Sequence, residues 1–214
     1  KALRRTPLHN WNLKRGAIMT DAGLWHRPWY FPKAGETIEI AYIREAGRVR
    51  ETVGVCDVSS LGKIAVQGPD SGAFLNRVYV NGFGKLPVGK ARYGVMLRDD
   101  GMVMDDGTTW RLGEDEYLMT TTTTNAGKVM VWLEELLQAR WPELRVHLTS
   151  VSDQWAAVSV AGPKARQVIA NCLIDAAVIS AEHLPFMGVT KAVLKEDISA
   201  WIARISFSGE LAFE

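Results

Sequence analysis

The chain has 214 residues, 47% of them apolar and 23% charged, with a formal net charge of +1. That is enough apolar material for one large domain or two smaller ones with cores of their own, and the near-neutral balance gives no electrostatic basis for nucleic acid or an anionic membrane as partner. No apolar run approaches the roughly 20 residues a bilayer helix requires, and the N-terminal region carries Arg4, Arg5, Lys14, Arg15 and Pro28 without the apolar centre of a signal peptide, so the expected compartment is the cytoplasm.

Residues 1–35 are rich in Arg, Trp, Pro and Gly and lack sustained periodicity, which predicts an ordered lead-in anchored by aromatic side chains. Ile38, Ile40, Ile43, Ala46 and Val49 then recur at mixed spacing, and a helix is expected over the second half of 36–50. Cys56 and Cys172 each sit among apolar neighbours and are expected to be buried free thiols, not a disulfide framework.

Lys63-Ile64-Ala65-Val66-Gln67 alternates as a strand does until Gly68-Pro69 halts it, and Ala73, Phe74, Arg77 and Val78 follow at helical spacing over 71–80. Proline suits the first turn of such a helix. The phrase returns at 155–164, where an apolar run ends in Gly162-Pro163-Lys164 before Ala165, Val168, Ile169 and Cys172. This internal repeat of strand, Gly-Pro turn and helix predicts two related lobes with a boundary near Ser150. The expected spans are a lead-in over 1–45, a first lobe over 46–150 and a second, incomplete lobe over 151–214.

Between the repeats, 93–97 reads as a strand, 98–101 as a hairpin turn, 102–111 as the returning strand and 117–124 as a third. Asn125 is placed to cap a helix with Val129, Leu133, Leu136 and Leu137 on one face, ending before Pro142. The expected class is α+β, antiparallel sheets with helices packed on one side. The chain starts at Lys1, and residues 204–214 alternate like an uncompleted strand pair, so a fragment of a longer chain is expected.

Asp105-Asp106 lies inside an otherwise apolar strand, and alternation puts the two carboxylates on opposite faces, so at most one points inward. An inward carboxylate marks a functional candidate because its desolvation is costly; a solvated pair beside Gly107 is the alternative. The threonines 120–124 suit a strand with cross-strand hydroxyl pairs, or a ligand-facing hydroxyl. Gly84-Lys85-Leu86-Pro87-Val88-Gly89-Lys90 imitates a phosphate loop, but Ala91 stands where Ser or Thr must follow and a strand comes next, so that reading is rejected. His9, His26, His147 and His183 show no metal-ligand spacing, so no metal is expected, and no nucleophile-elbow motif accompanies them. The eight tryptophans fit either a stacked heteroaromatic ligand or core and interface packing.

Asp57-Val58-Ser59-Ser60-Leu61-Gly62, Gln67-Gly68-Pro69-Asp70-Ser71, Asp105-Asp106 and Ser208-Gly209-Glu210 with Phe213-Glu214 resemble segments of the glycine cleavage T-protein (aminomethyltransferase) family, in order from about residue 9 onward. Arg4-Arg5-Thr6-Pro7-Leu8-His9 and Arg27-Pro28-Trp29-Tyr30-Phe31-Pro32 are similar to the start of the T-protein-like half of heterotetrameric sarcosine oxidase alpha subunits. The resemblance implies a truncated T-protein-like folate-binding fold and a tetrahydrofolate site. It assigns Asp106 the catalytic role near folate N10, Glu214 the pterin hydrogen bonds, and Tyr93, Leu61 and Thr122 positions in the wall. It implies that the methylene group of oxidised sarcosine is captured as 5,10-methylenetetrahydrofolate, with Asp106 assisting by charge and proton transfer. FAD, FMN and NAD are expected elsewhere in the intact complex, and the other subunits and the N-terminal half of the same subunit are the expected partners. The departures are Leu61 for Met, Thr122 for Asn, and Phe207-Ser208 before Gly209 for Tyr-Thr; no downstream arginine or third domain is present to close the cavity, and little folate affinity and no activity are expected of the fragment. The alternatives are a non-catalytic subunit-docking module and a glycine-cleavage T-protein acting with a lipoyl carrier.

Overall fold

A computed structural model describes residues 4–214; residues 1–3, the first of the expected lead-in, lie outside the described residues. The order begins with β1 (Arg4–Arg5), α1 (His9–Lys14), β2 (Ile18–Ala22), β3 (Trp25–Tyr30), α2 (Ile38–Glu51) and β4 (Gly54–Asp57). It continues with β5 (Gly62–Gln67), α3 (Ser71–Val78), β6 (Lys90–Leu97), β7 (Val103–Gly113), β8 (Glu116–Thr121), α4 (Ala126–Glu135) and β9 (His147–Ser150). It ends with β10 (Val158–Ala161), α5 (Ala165–Cys172), β11 (Val189–Leu194), β12 (Ile198–Ala203) and β13 (Ala212–Phe213). Leu61–Trp155 form one compact unit; residues 4–60 with Ala156–Glu214 form the other. No described helix is long and apolar enough to cross a membrane.

The Leu61–Trp155 unit is a five-stranded antiparallel sheet in the order β6-β7-β8-β5-β9. Ile64, Val66, Met96, Tyr117 and Met119 project from one face of it into a core shared with Phe74, Leu75 and Val78 of α3 and Val129 and Leu133 of α4. Both helices therefore cover the same face, as the pattern 129, 133, 136 required. Gly62 permits the close approach of β5 to the start of α4, because a Cβ there would lie 2.0 Å from Thr121 Oγ1 and 2.6 Å from Ala126 Cβ.

The second unit repeats this topology. Gly68 and Gly162 follow their strands with φ of 128° and 122°, a region that L side chains avoid. Each precedes a proline, then the N-cap residue Asp70 or Lys164, then an eight-residue helix. The prolines thus sit in the turn ahead of the cap, not in the first helical turn. After each helix comes an extended residue that bridges to the next strand, Tyr79 to Met96 and Leu173 to Leu194. A hairpin follows in each case, β6-β7 or β11-β12. β8 then returns beside β5, and β13 beside β10. Ala203 and Glu214 exchange backbone hydrogen bonds of 2.8 and 2.9 Å, joining β12 to the segment that carries β13.

The lead-in is more regular than its composition suggested. β2 and β3 form a hairpin through Gly23, φ 59°, and β1 adds in parallel. Arg4 stacks on Trp25 and Arg15 on Trp11 at 4.4 and 4.6 Å. Thr6, His9 and Asn12 are buried along one side. The buried carboxylate of Asp57 accepts from Thr6 Oγ1 at 2.6 Å, Asn12 Nδ2 at 3.2 Å and the Ser59 N–H at 3.1 Å. The lead-in is thereby pinned by charge-assisted hydrogen bonds as well as by aromatic contact. α2 begins earlier than expected, at Ile38, where Thr37 Oγ1 accepts from the Ile40 N–H. Cys56 and Cys172 are free, as expected, but both are exposed. Cys56 lies on the edge strand β4, where Val55 is exposed as well, and Cys172 is the last residue of α5, so apolar sequence neighbours do not bury either thiol.

Candidate functional site

The face of the five-stranded sheet away from α3 and α4 carries Asp106. Asp105 is opposite Met96 and Asp106 opposite Val95 in the β6-β7 register, and Met96 belongs to the core. Period-two alternation therefore sends Asp105 toward the helices and Asp106 to the other face. The burial agrees, with Asp105 only 3% exposed and Asp106 partly accessible. Of the two possibilities left by the sequence, the inward carboxylate is Asp105.

The two acids have different surroundings. Asp105 accepts from the Thr122 N–H at 3.0 Å and from Thr122 Oγ1 at 2.7 Å. It thereby ties β7 to the residues 122–125 that lead into α4, where Asn125 holds the N-cap position but its side chain accepts no N–H of the helix and its Nδ2 donates to the Met104 carbonyl instead. Asp106 Oδ2 accepts from the Tyr93 hydroxyl at 2.8 Å. That is its only hydrogen bond among the described residues, so Oδ1 keeps its lone pairs. The hydrogen bond to Asp106 holds the Tyr93 phenol above its ordinary pKa, with burial and the carboxylate charge acting in the same direction.

Thr108 and Thr120 complete the neighbourhood. The Thr108 N–H donates to Thr120 Oγ1 and the Thr120 hydroxyl to the Thr108 carbonyl, each at 2.9 Å, which accounts for one member of the threonine run as a cross-strand pair. Trp110 Nε1 donates to Thr108 Oγ1 at 3.0 Å. These bonds stiffen the strands on either side of Gly107, directly beside Asp106.

The structure thus brings Tyr93 and Asp106 into contact. Leu61 immediately precedes Gly62, which is opposite Thr121, so Leu61 and Thr122 lie at the same end of the β5-β8 pair. The ladder stops at Thr121, and the Thr122 hydroxyl turns to Asp105 instead of Asp106. Glu214 belongs to the other unit, where its backbone pairs with Ala203. The role of Asp105 as the anchor of Thr122 was not read from the sequence, although strand alternation at an Asp-Asp pair was the available signal. No group of three or more His, Cys, Asp or Glu able to hold a metal is present among the described residues.

Comparisons with known proteins agree with this architecture. Residues 8–214 match the model of the GCVT N-terminal domain. The chain is 52% identical over 211 residues to a sarcosine oxidase subunit alpha of Corynebacterium sp. (strain P-1), covering 99% of this chain and 22% of that protein. It is 49% identical to the corresponding subunit of Rhizobium meliloti (strain 1021), with the same coverage of each. It therefore spans about a fifth of the length of these relatives. Among solved structures, the glycine cleavage system aminomethyltransferase T from Bartonella henselae superposes with a TM-score of 0.80 at 24% identity, over 99% of this chain and 53% of that one, which establishes a T-protein fold of which this chain supplies about half. With the family model covering nearly every residue and the fold in agreement, the chain belongs to the GCVT N-terminal domain family.

Proposed function

We propose that this chain is the tetrahydrofolate-binding region of a sarcosine oxidase alpha subunit, capturing the methylene group of oxidised sarcosine as 5,10-methylenetetrahydrofolate. The observation that carries this reading is the Asp106 carboxylate, fixed on one oxygen by Tyr93 and bare on the other, on a sheet face stiffened by the Thr108-Thr120 pair. Such a group suits a ligand rich in N–H donors and amine nitrogens.

When bound, tetrahydrofolate supplies the nucleophilic nitrogens that take up the one-carbon unit. Asp106 Oδ1 would accept an N–H from it, and the carboxylate would stabilise positive charge developing nearby. Tyr93 keeps its own proton and aims it at Oδ2, which orients the Asp106 carboxylate. Leu61 and Thr122 would supply apolar and methyl contacts, because the Thr122 hydroxyl proton is already given to Asp105. Glu214 is assigned the pterin's 2-amino edge on the strength of the family resemblance alone. The flavin and nicotinamide cofactors FAD, FMN and NAD, the docking of other subunits and a cytoplasmic setting belong to the whole protein in this reading.

Titration of the full-length protein with tetrahydrofolate, followed by calorimetry, tests the reading. Saturable binding that weakens at least tenfold in Tyr93→Phe/Asp106→Ala is expected. The absence of saturable binding in the unaltered protein would instead identify a docking module.

A further inference from the structure

Among the described residues, Arg166 and Arg204 are cations without an acidic partner, and neither makes an ion pair. Arg166 lies in the first turn of α5, where free backbone N–H groups and the positive end of the helix dipole already disfavour a cation. Its guanidinium stacks on the buried ring of Phe213 at 5.0 Å. One of its nitrogens, Nη1, is buried with no acceptor. Arg204 Nη1 reaches only the Leu184 carbonyl, at 3.5 Å, the outer limit of a hydrogen bond.

The strand register brings the two together. Because Ala203 and Glu214 exchange both backbone hydrogen bonds, Arg204 and Phe213 form the next opposed pair, with side chains on one side of the ribbon. Arg166, Phe213 and Arg204 therefore share a face, opposite to the one that Ala203 and Glu214 share. Glu210, the nearby acid of the turn, is already held by Ser208 and Arg50. Burial first, then the charge of Arg204, weakens the hold of Arg166 on its proton, but a guanidinium keeps that proton at any physiological pH.

We propose that Arg166 and Arg204 form a binding site for a carboxylate. A planar two-oxygen anion matches the edges of paired guanidinium groups better than a tetrahedral one, and a monoanion loses less hydration than a dianion beside the Phe213 ring. The carboxylate comes either from a small-molecule acid or from an Asp or Glu side chain of the longer polypeptide. The site uses none of the residues assigned to folate and stands independently of that assignment.

Arg166→Lys and Arg166→Met in the full-length protein separate charge from packing, because the two side chains have similar length and both forgo the guanidinium stack. Melting temperatures are compared at fixed ionic strength in sodium chloride and in sodium acetate. With a carboxylate in place, the lysine variant melts a few degrees above the methionine variant. An advantage that grows in acetate identifies an exchangeable small acid, and one that is the same in both salts identifies a side chain of the polypeptide. A lysine variant that melts at or below the methionine variant in both salts overturns the site, since an uncompensated charge beside Arg204 then only destabilises. Should neither variant fold, Arg204→Lys and Arg204→Met are scored on the same criterion.

Discussion

Tyr93 donates its hydroxyl to Asp106 across the β6-β7 hairpin at 2.8 Å, two positions along the ladder from the residue that Asp106 directly opposes. The phenol is consequently reluctant to ionise. Replacing Asp106 with Asn removes the charge and weakens the acceptor, so the Tyr93 phenol should titrate at lower pH in Asp106→Asn. Ultraviolet difference spectra of the alkaline titration would show it. Because a raised phenol pKa favours the folded state only while the proton is on, this contribution is complete below about pH 10 and fades at higher pH.

Asp105→Ala should destabilise the protein without directly touching Asp106. It strands the Thr122 N–H and hydroxyl that the buried carboxylate accepts, and an interaction of this kind is worth about 2 to 4 kcal/mol when one side is deleted. Asp105→Asn, which can still accept one of the two bonds, should lose less. Chemical denaturation of both variants checks the order.

The paired glycines make a conformational prediction. A Cβ at Gly68 would stand 2.2 Å from the Arg145 carbonyl oxygen, and one at Gly162 2.3 Å from the Val49 carbonyl oxygen. Gly101 also has positive φ, 81°, but nothing within 4 Å. Ala at 68 or 162 should therefore cost upward of about 2 kcal/mol, and Ala at 101 only about 1 kcal/mol. Equal losses at the three sites would mean that backbone angle alone, and not close approach, selects glycine.

Acidification should loosen the lead-in. His9 is 5% exposed and its Nδ1 has no partner. Burial, then Arg5 and His26, lower its pKa, against a hydrogen bond to the His26 backbone that favours the charge. Asp21 lies 2.8 Å from the His26 ring and Asp57 holds the flanking Thr6 and Asn12. The unfolded chain takes up the His9 proton near pH 6.5 and the folded chain only below that. The stability contribution is therefore complete above that window and is lost as pH falls through it. Thermal unfolding between pH 8 and pH 5 should be less pH-dependent in His9→Asn than in the unaltered protein.

Much of this was legible because the informative residues act locally. Gly68-Pro69 and Gly162-Pro163 announce a strand-to-helix turn by backbone angle, and the apolar spacing of α4 names its core face. The hairpin of the lead-in was missed because Trp, Arg and Pro mask the alternation of β2 and β3, whose stability comes from cation–π stacking and from Asp57, 45 residues from Asn12. The assignment of Asp105 to the interior needed the pairing of β7 with β6, since a one-residue slip would exchange the two carboxylates. That Arg166 and Arg204 lack an acidic partner among the described residues depends on contacts between β13, α5 and β12 that no local pattern encodes.

The role of Asp106 is tested by product partition in the full-length protein supplied with sarcosine and tetrahydrofolate. Asp106→Asn should consume sarcosine at a near-normal rate while 5,10-methylenetetrahydrofolate falls at least tenfold and formaldehyde rises in its place. An unchanged yield of 5,10-methylenetetrahydrofolate in that variant would contradict that role.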